Sequence, residues 1–377
     1  MLPLDIPLCA KIGDVQLDAA DLRAVFGRDV ASYDIEPIDP HLRIHSVTGG
    51  VYRVRVGNDT CVIKVVRHGV DATPDFLWQS GADEGHRNYW KREWLAFDSG
   101  LLDSLPGLLR APRTLLTTEY DDGDCWIWME DVVGRTGSTL DLDDFDSIAY
   151  ALGTCQGAYA TGAIALPNQR WLSRGWLRSW VDICAPFIDG LRNDEMWRDP
   201  RLARLAEVRD RVATLWSQRE QLLAITDEPP MSIAHWDLWP ANLFVGNERD
   251  VVAIDWSQVG LSGITHDLDQ LTLDTVWQRV RPDESLDVLE KRVLASYSRG
   301  LHAAGLDIAE QDLQRWYAAA AALRYSWLAG GQPVWVLDAE RRKSQEERFG
   351  RDAAEILSSR ARVIEHALDH GESLVGR

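Results

Sequence analysis

No run of about 18 apolar residues occurs anywhere in the 377-residue chain, so a membrane-spanning helix is not expected. The start, Met1-Leu2-Pro3-Leu4-Asp5-Ile6, lacks the basic residues and apolar stretch of a secretory signal, and a cytoplasmic location is expected. Cysteine is scarce. The five present (Cys9, Cys61, Cys125, Cys155, Cys184) form no Cys-x-x-Cys pair, which argues against a disulfide framework or a structural zinc site and for reduced, mostly buried thiols. Positive charge is also short: 40 Lys and Arg face 59 Asp and Glu, a net charge of −19. Nucleic acid and anionic membranes are bound through basic patches, so neither is expected as a partner. There is no internal repeat and no low-complexity linker.

Tryptophan, by contrast, is abundant, with 17 residues. Trp171, Trp176 and Trp180 recur at helical spacing, and such a stripe is more often core than ligand platform. Trp236 and Trp239 stand out from the rest because of the stretch they occupy.

That stretch is Ser232-Ile233-Ala234-His235-Trp236-Asp237-Leu238-Trp239-Pro240-Ala241-Asn242-Leu243-Phe244-Val245, followed by Val251-Val252-Ala253-Ile254-Asp255-Trp256. The first contains His-x-Asp-x-x-x-x-Asn, and the second puts a lone Asp after an apolar strand. Phosphoryl transfer from a nucleotide needs a carboxylate to take the proton of the attacking hydroxyl, and oxygen ligands for the metal that bridges the phosphates. Asp237 is the candidate base. Asn242 and Asp255 are the candidate Mg²⁺ ligands, two being enough because Mg²⁺ keeps waters and phosphates as the rest of its shell. His235 is expected to prop the loop, and Pro240 to stiffen the turn that presents Asn242.

On these residues the chain resembles the aminoglycoside phosphotransferase and choline kinase superfamily, the small-molecule branch of the protein-kinase-like fold. The likeness spans roughly residues 40–330 and is strongest at the catalytic loop and Asp255. It implies an α+β, bilobal fold: a small β-rich N-lobe of five strands and a helix, and a mostly helical C-lobe. Residues 1–129 are expected to form an N-terminal extension and nucleotide-binding lobe. Residues 130–377 are expected to form the hinge and the catalytic lobe.

In the small lobe, Arg43–Val56 and Thr60–Val66 read as strands around a Gly57-Asn58-Asp59 turn. The resemblance puts a nucleotide-covering segment at Ser46–Tyr52, where Gly49 and Gly50 let the backbone approach phosphates. Lys64 lies within Cys61-Val62-Ile63-Lys64-Val65-Val66. Taken alone, it is either a solvent-facing lysine on an edge strand or a buried ammonium that needs partners. The resemblance supplies those partners as nucleotide phosphates and a helix Glu. Asn88–Leu102 has helical periodicity, so Glu93 is preferred over Glu84, which sits in a Gly-flanked loop. Asp71–Gly85 reads as an inserted loop. Trp126–Met129 reads as a strand ending at the hinge, where Met129 would line the base pocket and the Glu130 carbonyl and Val132 amide would contact the base.

Helices are expected over Leu17–Phe26, Ile148–Ala160, Trp171–Phe187, Pro200–Gln221, Leu286–Ala304, Ala309–Ala329 and Glu346–His370. Leu152-Gly153-Thr154-Cys155-Gln156-Gly157 matches a family stretch with Gln156 where His is usual, a position read as structural. Asp267 is implied to anchor the loop after Asp255, or to face substrate; Asp269 and Asp274 on the following helix are weaker candidates. The protein-kinase signatures His-Arg-Asp, Asp-Phe-Gly and Ala-Pro-Glu are missing, which argues against a large docked protein substrate.

The expected function is an ATP- and Mg²⁺-dependent O-phosphotransferase, with GTP as the other nucleotide. Its acceptor is a small hydroxylated molecule, an antibiotic or amino sugar, for resistance or self-protection. The acidity of the chain is compatible with a cationic acceptor and equally with plain solubility. The alternatives are a peptide Ser/Thr kinase of natural-product maturation, a metabolic kinase of choline, sugar or homoserine type, and a nucleotide-binding pseudoenzyme. The last predicts loss of Lys64, Asp237, Asn242 or Asp255, and all four are present.

Overall fold

The computed structural model describes residues 17–38, 47–69, 79–121, 123–247, 250–281 and 285–375. Cys9, the Arg43–Ser46 start of the first expected strand and most of the expected insertion, residues 70–78, lie outside them. Two compact units are formed, one from Met1–Ser104 with Ala111–Val133, the other from Leu105–Arg110 with Gly134–Arg377.

The first unit begins with α1 (Ala19–Phe26), capped by the Asp18 side chain and ended by Gly27 at φ 67°. Its strands are β1 (Asp34–Pro37), β2 (Thr48–Val56) and β3 (Asp59–Val66). Helix α2 (Arg92–Asp98) follows; β4 (Leu109–Arg110) belongs to the second unit; β5 (Thr114–Glu119) and β6 (Cys125–Glu130) complete an antiparallel sheet of order β1-β2-β3-β6-β5. Asp59 pairs with Val56, so the hairpin turn is only Gly57-Asn58, with Gly57 at φ 64° as a two-residue loop requires. Alternation along the strands puts Tyr52, Val54, Val56, Cys61, Ile63 and Val65 on one face, where they pack with Trp128 and Leu22. Each such side chain contributes roughly 1.5–3 kcal/mol when fully buried. The same alternation turns Lys64 to the other face of a strand paired on both sides, with Val51 and Ile127 opposite it. Lys64 is therefore not on an edge strand.

The second unit carries β7 (Arg135–Thr136), α3 (Leu142–Ala160), β8 (Ser173–Arg174), α4 (Trp176–Leu191), α5 (Ala203–Ala206), α6 (Arg209–Ser217) and α7 (Arg219–Thr226). Then come β9 (Met231–Ala234), β10 (Leu243–Val245), β11 (Val251–Ala253), β12 (Gly260–Gly263), a π-helical turn at Gln270–Asp274 and α8 (Thr275–Trp277). The chain continues through α9 (Leu286–Ala303), α10 (Glu310–Tyr325), α11 (Gln332–Val336), α12 (Ala339–Phe349) and α13 (Ala353–Val375). Two short sheets, β4-β11-β10-β7 and β8-β12-β9, hold the loop between β9 and β10. Helix α3 packs along α9, and α10 along α13. The α3–α9 crossing needs glycine: a methyl group at Gly153 would lie 2.4 Å from the Tyr297 carbonyl oxygen, and one at Gly300 would lie 2.3 Å from that of Tyr150.

Helix ends depart from the sequence expectation where capping chemistry intervenes. The expected helix over Glu346–His370 is two helices, because Gly350 adopts φ 58° and closes α12. Pro200–Gln221 breaks into a 3₁₀ turn and three short helices, and α4 starts at Trp176, after β8. Among the described residues, no helix is long and apolar enough to cross a membrane. Cys61, Cys125, Cys155 and Cys184 are buried and in no disulfide.

Candidate active site

Strand β9 ends at Ala234, and the chain turns sharply at Trp236, which stands at φ 65°. A bulky residue in the left-handed region is strained by about 1–3 kcal/mol and persists only when its surroundings over-determine it. They do here. The amides of His235 and Trp236 donate to the two carboxylate oxygens of Asp267, at 3.0 and 2.8 Å. The Trp236 carbonyl accepts from the Gln270 amide and the Arg324 guanidinium, both at 2.9 Å. The Gln270 side-chain oxygen accepts from the Leu238 amide at 2.9 Å. Gln156, at the departure from the family pattern, donates to both Asp267 and the Ile233 carbonyl at 3.0 Å.

His235 completes the brace. Its Nδ1 accepts from the Asp237 amide at 3.2 Å, so Nε2 carries the proton and donates to the Ile254 carbonyl at 3.0 Å. One neutral imidazole thereby ties the segment bearing Asp237 to the segment bearing Asp255. The Ile254 amide in turn donates to the Asn242 carbonyl at 2.9 Å.

The structure brings Asp237 and Asn242 into direct contact. The Asn242 amide nitrogen donates to the Asp237 Oδ2 at 2.8 Å and to its backbone carbonyl at 2.9 Å. Both bonds use the NH₂ end, which leaves the Asn242 side-chain oxygen to serve as a ligand. Asp255 stands at φ 61°, a conformation that Asp tolerates better than most residues. Burial, then the charges of Asp255 and Asp274, push the Asp237 carboxyl up. Carboxylates gathered this closely are a poor arrangement until a cation joins them, and an all-oxygen donor set suits a hard one such as Mg²⁺.

Asp269 is buried and Asp274 half-buried. Burial pushes them up to about 7 and about 6, while the Arg324 charge pulls both back down. Arg324 lies 3.6 Å from Asp269 and stacks on Trp176, which stacks on Trp236 at 4.9 Å between ring centroids. Trp236 is thus part of this packed core and is not the ligand platform its sequence position suggested; Trp256 is buried too, donating to the Ala253 carbonyl. Gln270 and Arg324 were not singled out from sequence. Gln270 sits among Asp267, Asp269, Thr272 and Asp274, where nothing marks it, and Arg324, a lone charge within Ala318–Trp327, signals a need for partners without saying which.

In the first unit, Lys64 Nζ and Glu93 Oε2 form a buried ion pair at 2.6 Å, with side chains 9% and 3% exposed. Glu84 is exposed. Gly49 and Gly50 lie within β2 at a bulge, and not at a loop apex. A methyl group on Gly50 would meet the Tyr52 ring at 2.5 Å, so local packing alone demands that glycine. Met129 is buried near the end of β6, Glu130 closes the strand with its carboxylate accepting from the Arg113 amide, and Val132 is half-buried beyond it. Between them, Asp131 is held by Arg53 through two hydrogen bonds of 2.7 and 3.1 Å.

One further feature of the second unit is an open cavity of about 410 Å³ lined by Trp239, Gln278, Arg279, Arg348, Phe349 and Arg351. Trp239 is two residues from Asp237, so the cavity borders the catalytic loop. Three guanidinium groups line it. Arg351 lies 3.8 Å from the Glu355 carboxylate.

No curated protein matches the sequence. Solved structures do share the fold. The spectinomycin phosphotransferase solved with ADP and spectinomycin aligns at a TM-score of 0.54 and 14% identity, over 92% of this chain and 97% of that one. The amicoumacin kinase solved with AMP-PNP, Ca²⁺ and Ami aligns at a TM-score of 0.50 and 11% identity, over 84% and 86%. The family model described as "Phosphotransferase enzyme family" matches residues 91–303, more than half the chain and including every residue of the catalytic loop. The chain belongs to that phosphotransferase family, and is a kinase of alcohol groups with a bilobal kinase-like fold.

Proposed function

We propose that this enzyme phosphorylates a hydroxyl of a small molecule in the cytoplasm, using ATP or GTP and Mg²⁺, with an antibiotic or amino-sugar-like acceptor. The observation that carries the reading is the Asp237–Asn242 contact on a loop braced by Asp267, Gln270, Arg324 and His235. Kinases depend on positioning more than on a strong base, and this loop has little freedom to drift. Asp237 accepts the proton of the acceptor hydroxyl as its oxygen bonds to the γ-phosphorus and the bond to the leaving nucleoside diphosphate breaks. The Asn242 side-chain oxygen and the Asp255 carboxylate are the Mg²⁺ ligands. When bound, the metal neutralises charge on the phosphate oxygens. Lys64, oriented by Glu93, serves the phosphates. Gly49 and Gly50 cover them, and Met129, Glu130 and Val132 serve the base, within a nucleotide-binding lobe of residues 1–129. The nucleotides and antibiotics named for the two fold neighbours support this acceptor class.

A second reading of the acceptor is favoured by the arginine-lined cavity beside Trp239. Arg279, Arg348 and Arg351 suit a carboxylate or phosphate on the acceptor, whereas Asp269 is buried against Arg324. The test is nucleoside diphosphate release over a panel of aminoglycosides, nucleoside and macrolide antibiotics, amino sugars, choline, sugar acids and Ser/Thr peptides, with wild type and Asp237→Asn. Acceptor-dependent release confined to wild type supports the kinase and selects between the readings. Release that persists in Asp237→Asn removes Asp237 as the base.

A further inference from the structure

Away from the catalytic loop, α9 and α13 bring three ligand-type side chains together. His366 and His370 are four residues apart on α13, so their side chains share one face. Glu290 reaches them from α9. The Glu290 Oε2 lies 2.7 Å from His366 Nε2 and 2.8 Å from His370 Nε2, and the two nitrogens are 3.1 Å apart. The three side chains are 15–21% exposed, half-buried and reachable from solvent.

Hydrogen bonding alone satisfies this trio only when one ring is protonated and the other neutral. If both imidazoles donate from Nε2 to the same carboxylate oxygen, each neutral ring turns an unprotonated Nδ1 outward. For His366 that nitrogen faces the Asp287 carboxylate at 3.7 Å, acceptor against acceptor. Protonating both rings instead sets two imidazolium groups 3.1 Å apart. A cation held by the two Nε2 atoms removes the conflict, because each ring then carries its proton on Nδ1, and Asp287 accepts the one from His366. This is the outer-shell carboxylate that orients metal-bound histidines.

We propose that Glu290, His366 and His370 bind a late first-row divalent cation, with Zn²⁺ chemistry, that ties α9 to α13. The three atoms lie 2.7, 2.8 and 3.1 Å apart, and a metal about 2.1 Å from each at three corners of a tetrahedron, with the fourth left for water, needs them opened to about 3.4 Å, a shift of a few tenths of an ångström per side chain. Two imidazoles and one carboxylate select Zn²⁺ and its neighbours over Mg²⁺ and Ca²⁺, which take oxygen. The site is thus distinct in chemistry from the oxygen donors Asn242 and Asp255. Its role is structural: α9 packs along α3 and α13 along α10, so the cation couples two helix pairs. Exposed Asp287 and Asp369 add negative charge beside His366.

The test uses full-length protein with any affinity tag removed, stripped with chelator and titrated with Co²⁺, whose visible absorption reports low coordination by nitrogen. One equivalent should develop the band in wild type, and Zn²⁺ should bleach it. The band should persist in Asp255→Ala, which separates this site from the catalytic metal, and vanish in the His366→Ala, His370→Ala double variant. Glu290→Gln, which preserves shape, guards against a folding defect and should weaken Co²⁺ binding by at least about tenfold, since even outer-shell partners are worth that much. Zn²⁺ should raise the thermal midpoint of wild type and of Asp255→Ala, and leave that of the double histidine variant unchanged. A band that is missing in wild type, or that survives in both the double variant and Glu290→Gln, overturns the proposal whether or not the chain proves to be an antibiotic kinase.

Discussion

Asp267 receives the backbone amides of His235 and Trp236 on its two carboxylate oxygens, one residue ahead of the candidate base. Strain at Trp236 is held in check by these bonds. Asp267→Asn keeps the shape but turns an NH₂ group toward one of the amides, setting donor against donor at a cost of about 1–3 kcal/mol. Turnover should fall roughly 100-fold through misplacement of Asp237, while nucleotide affinity stays near wild type. Steady-state kinetics beside a nucleotide titration checks this; unchanged turnover would mean that Gln270 and Arg324 suffice to hold the loop.

Asp237→Asn keeps its contact with Asn242 through a rearranged pair of amides but cannot take a proton. Transfer should drop by about 10²–10⁴-fold, the range for loss of a positioned general base. Binding of Mg²⁺ and nucleotide should survive, since Asn242 and Asp255 remain. Loss of both together would show that Asp237 holds the metal as well.

Lys64 and Glu93 form a pair so buried that removing either partner strands the other. Lys64→Ala should destabilise the protein by about 3–5 kcal/mol as well as lowering turnover. Lys64→Met with Glu93→Gln should recover most of the stability and none of the activity. Denaturant unfolding of the single and double variants measures the coupling; additive losses would mean the two charges are independently solvated.

The candidate catalytic residues were legible because phosphoryl transfer constrains their spacing. The His-x-Asp-x-x-x-x-Asn run and Asp255 had to lie on adjoining short strands, and β10 and β11 pair just there. Lys64 was legible because an ammonium inside an apolar strand must have a partner. The supports were harder. Gln270 and Arg324 act on backbone carbonyls and amides, which any sequence supplies, so no pattern announces them. Trp236 was misjudged because nearness in sequence says nothing of direction: its neighbour Asp237 bonds to Asn242, while its own ring turns back onto Trp176. The arginine-lined cavity joins Trp239 to the end of α12, a pairing that only the tertiary fold creates.

His266 gives a pH signature. Burial, then the Arg324 charge, lowers it from 6.5 to about 4. Below about pH 6.5 the unfolded chain binds a proton that the fold refuses, so this residue's contribution to stability is complete above that pH and is lost as pH falls toward 4. Asp269 and Asp274, pushed up to about 7 and about 6, run the other way, costing stability as pH rises through the same window. The difference between wild type and His266→Asn isolates the histidine. Their stability gap should narrow by about 2 kcal/mol between about pH 7 and about pH 5. A gap that does not move would mean that the ring takes up its proton in the folded state as readily as in the unfolded one.

On the second reading of the acceptor, the cavity beside Trp239 would set acceptor choice by charge. Arg351 is exposed and its pairing with Glu355 is loose at 3.8 Å, so reversing its sign disturbs little of the fold. Arg351→Glu should raise KM for a carboxylate- or phosphate-bearing acceptor by about tenfold, equivalent to about 1.4 kcal/mol. The KM for nucleotide should not move. For a cationic acceptor bound in the same cavity the sign inverts, and KM should fall. Raising salt should shrink either effect, because an exposed charge is screened over about 8–10 Å at ordinary ionic strength. If KM for every productive acceptor is indifferent to this reversal and to salt, the acceptor lies elsewhere, and the three arginines serve the fold through contacts such as those with Gln278, Phe349 and Glu355.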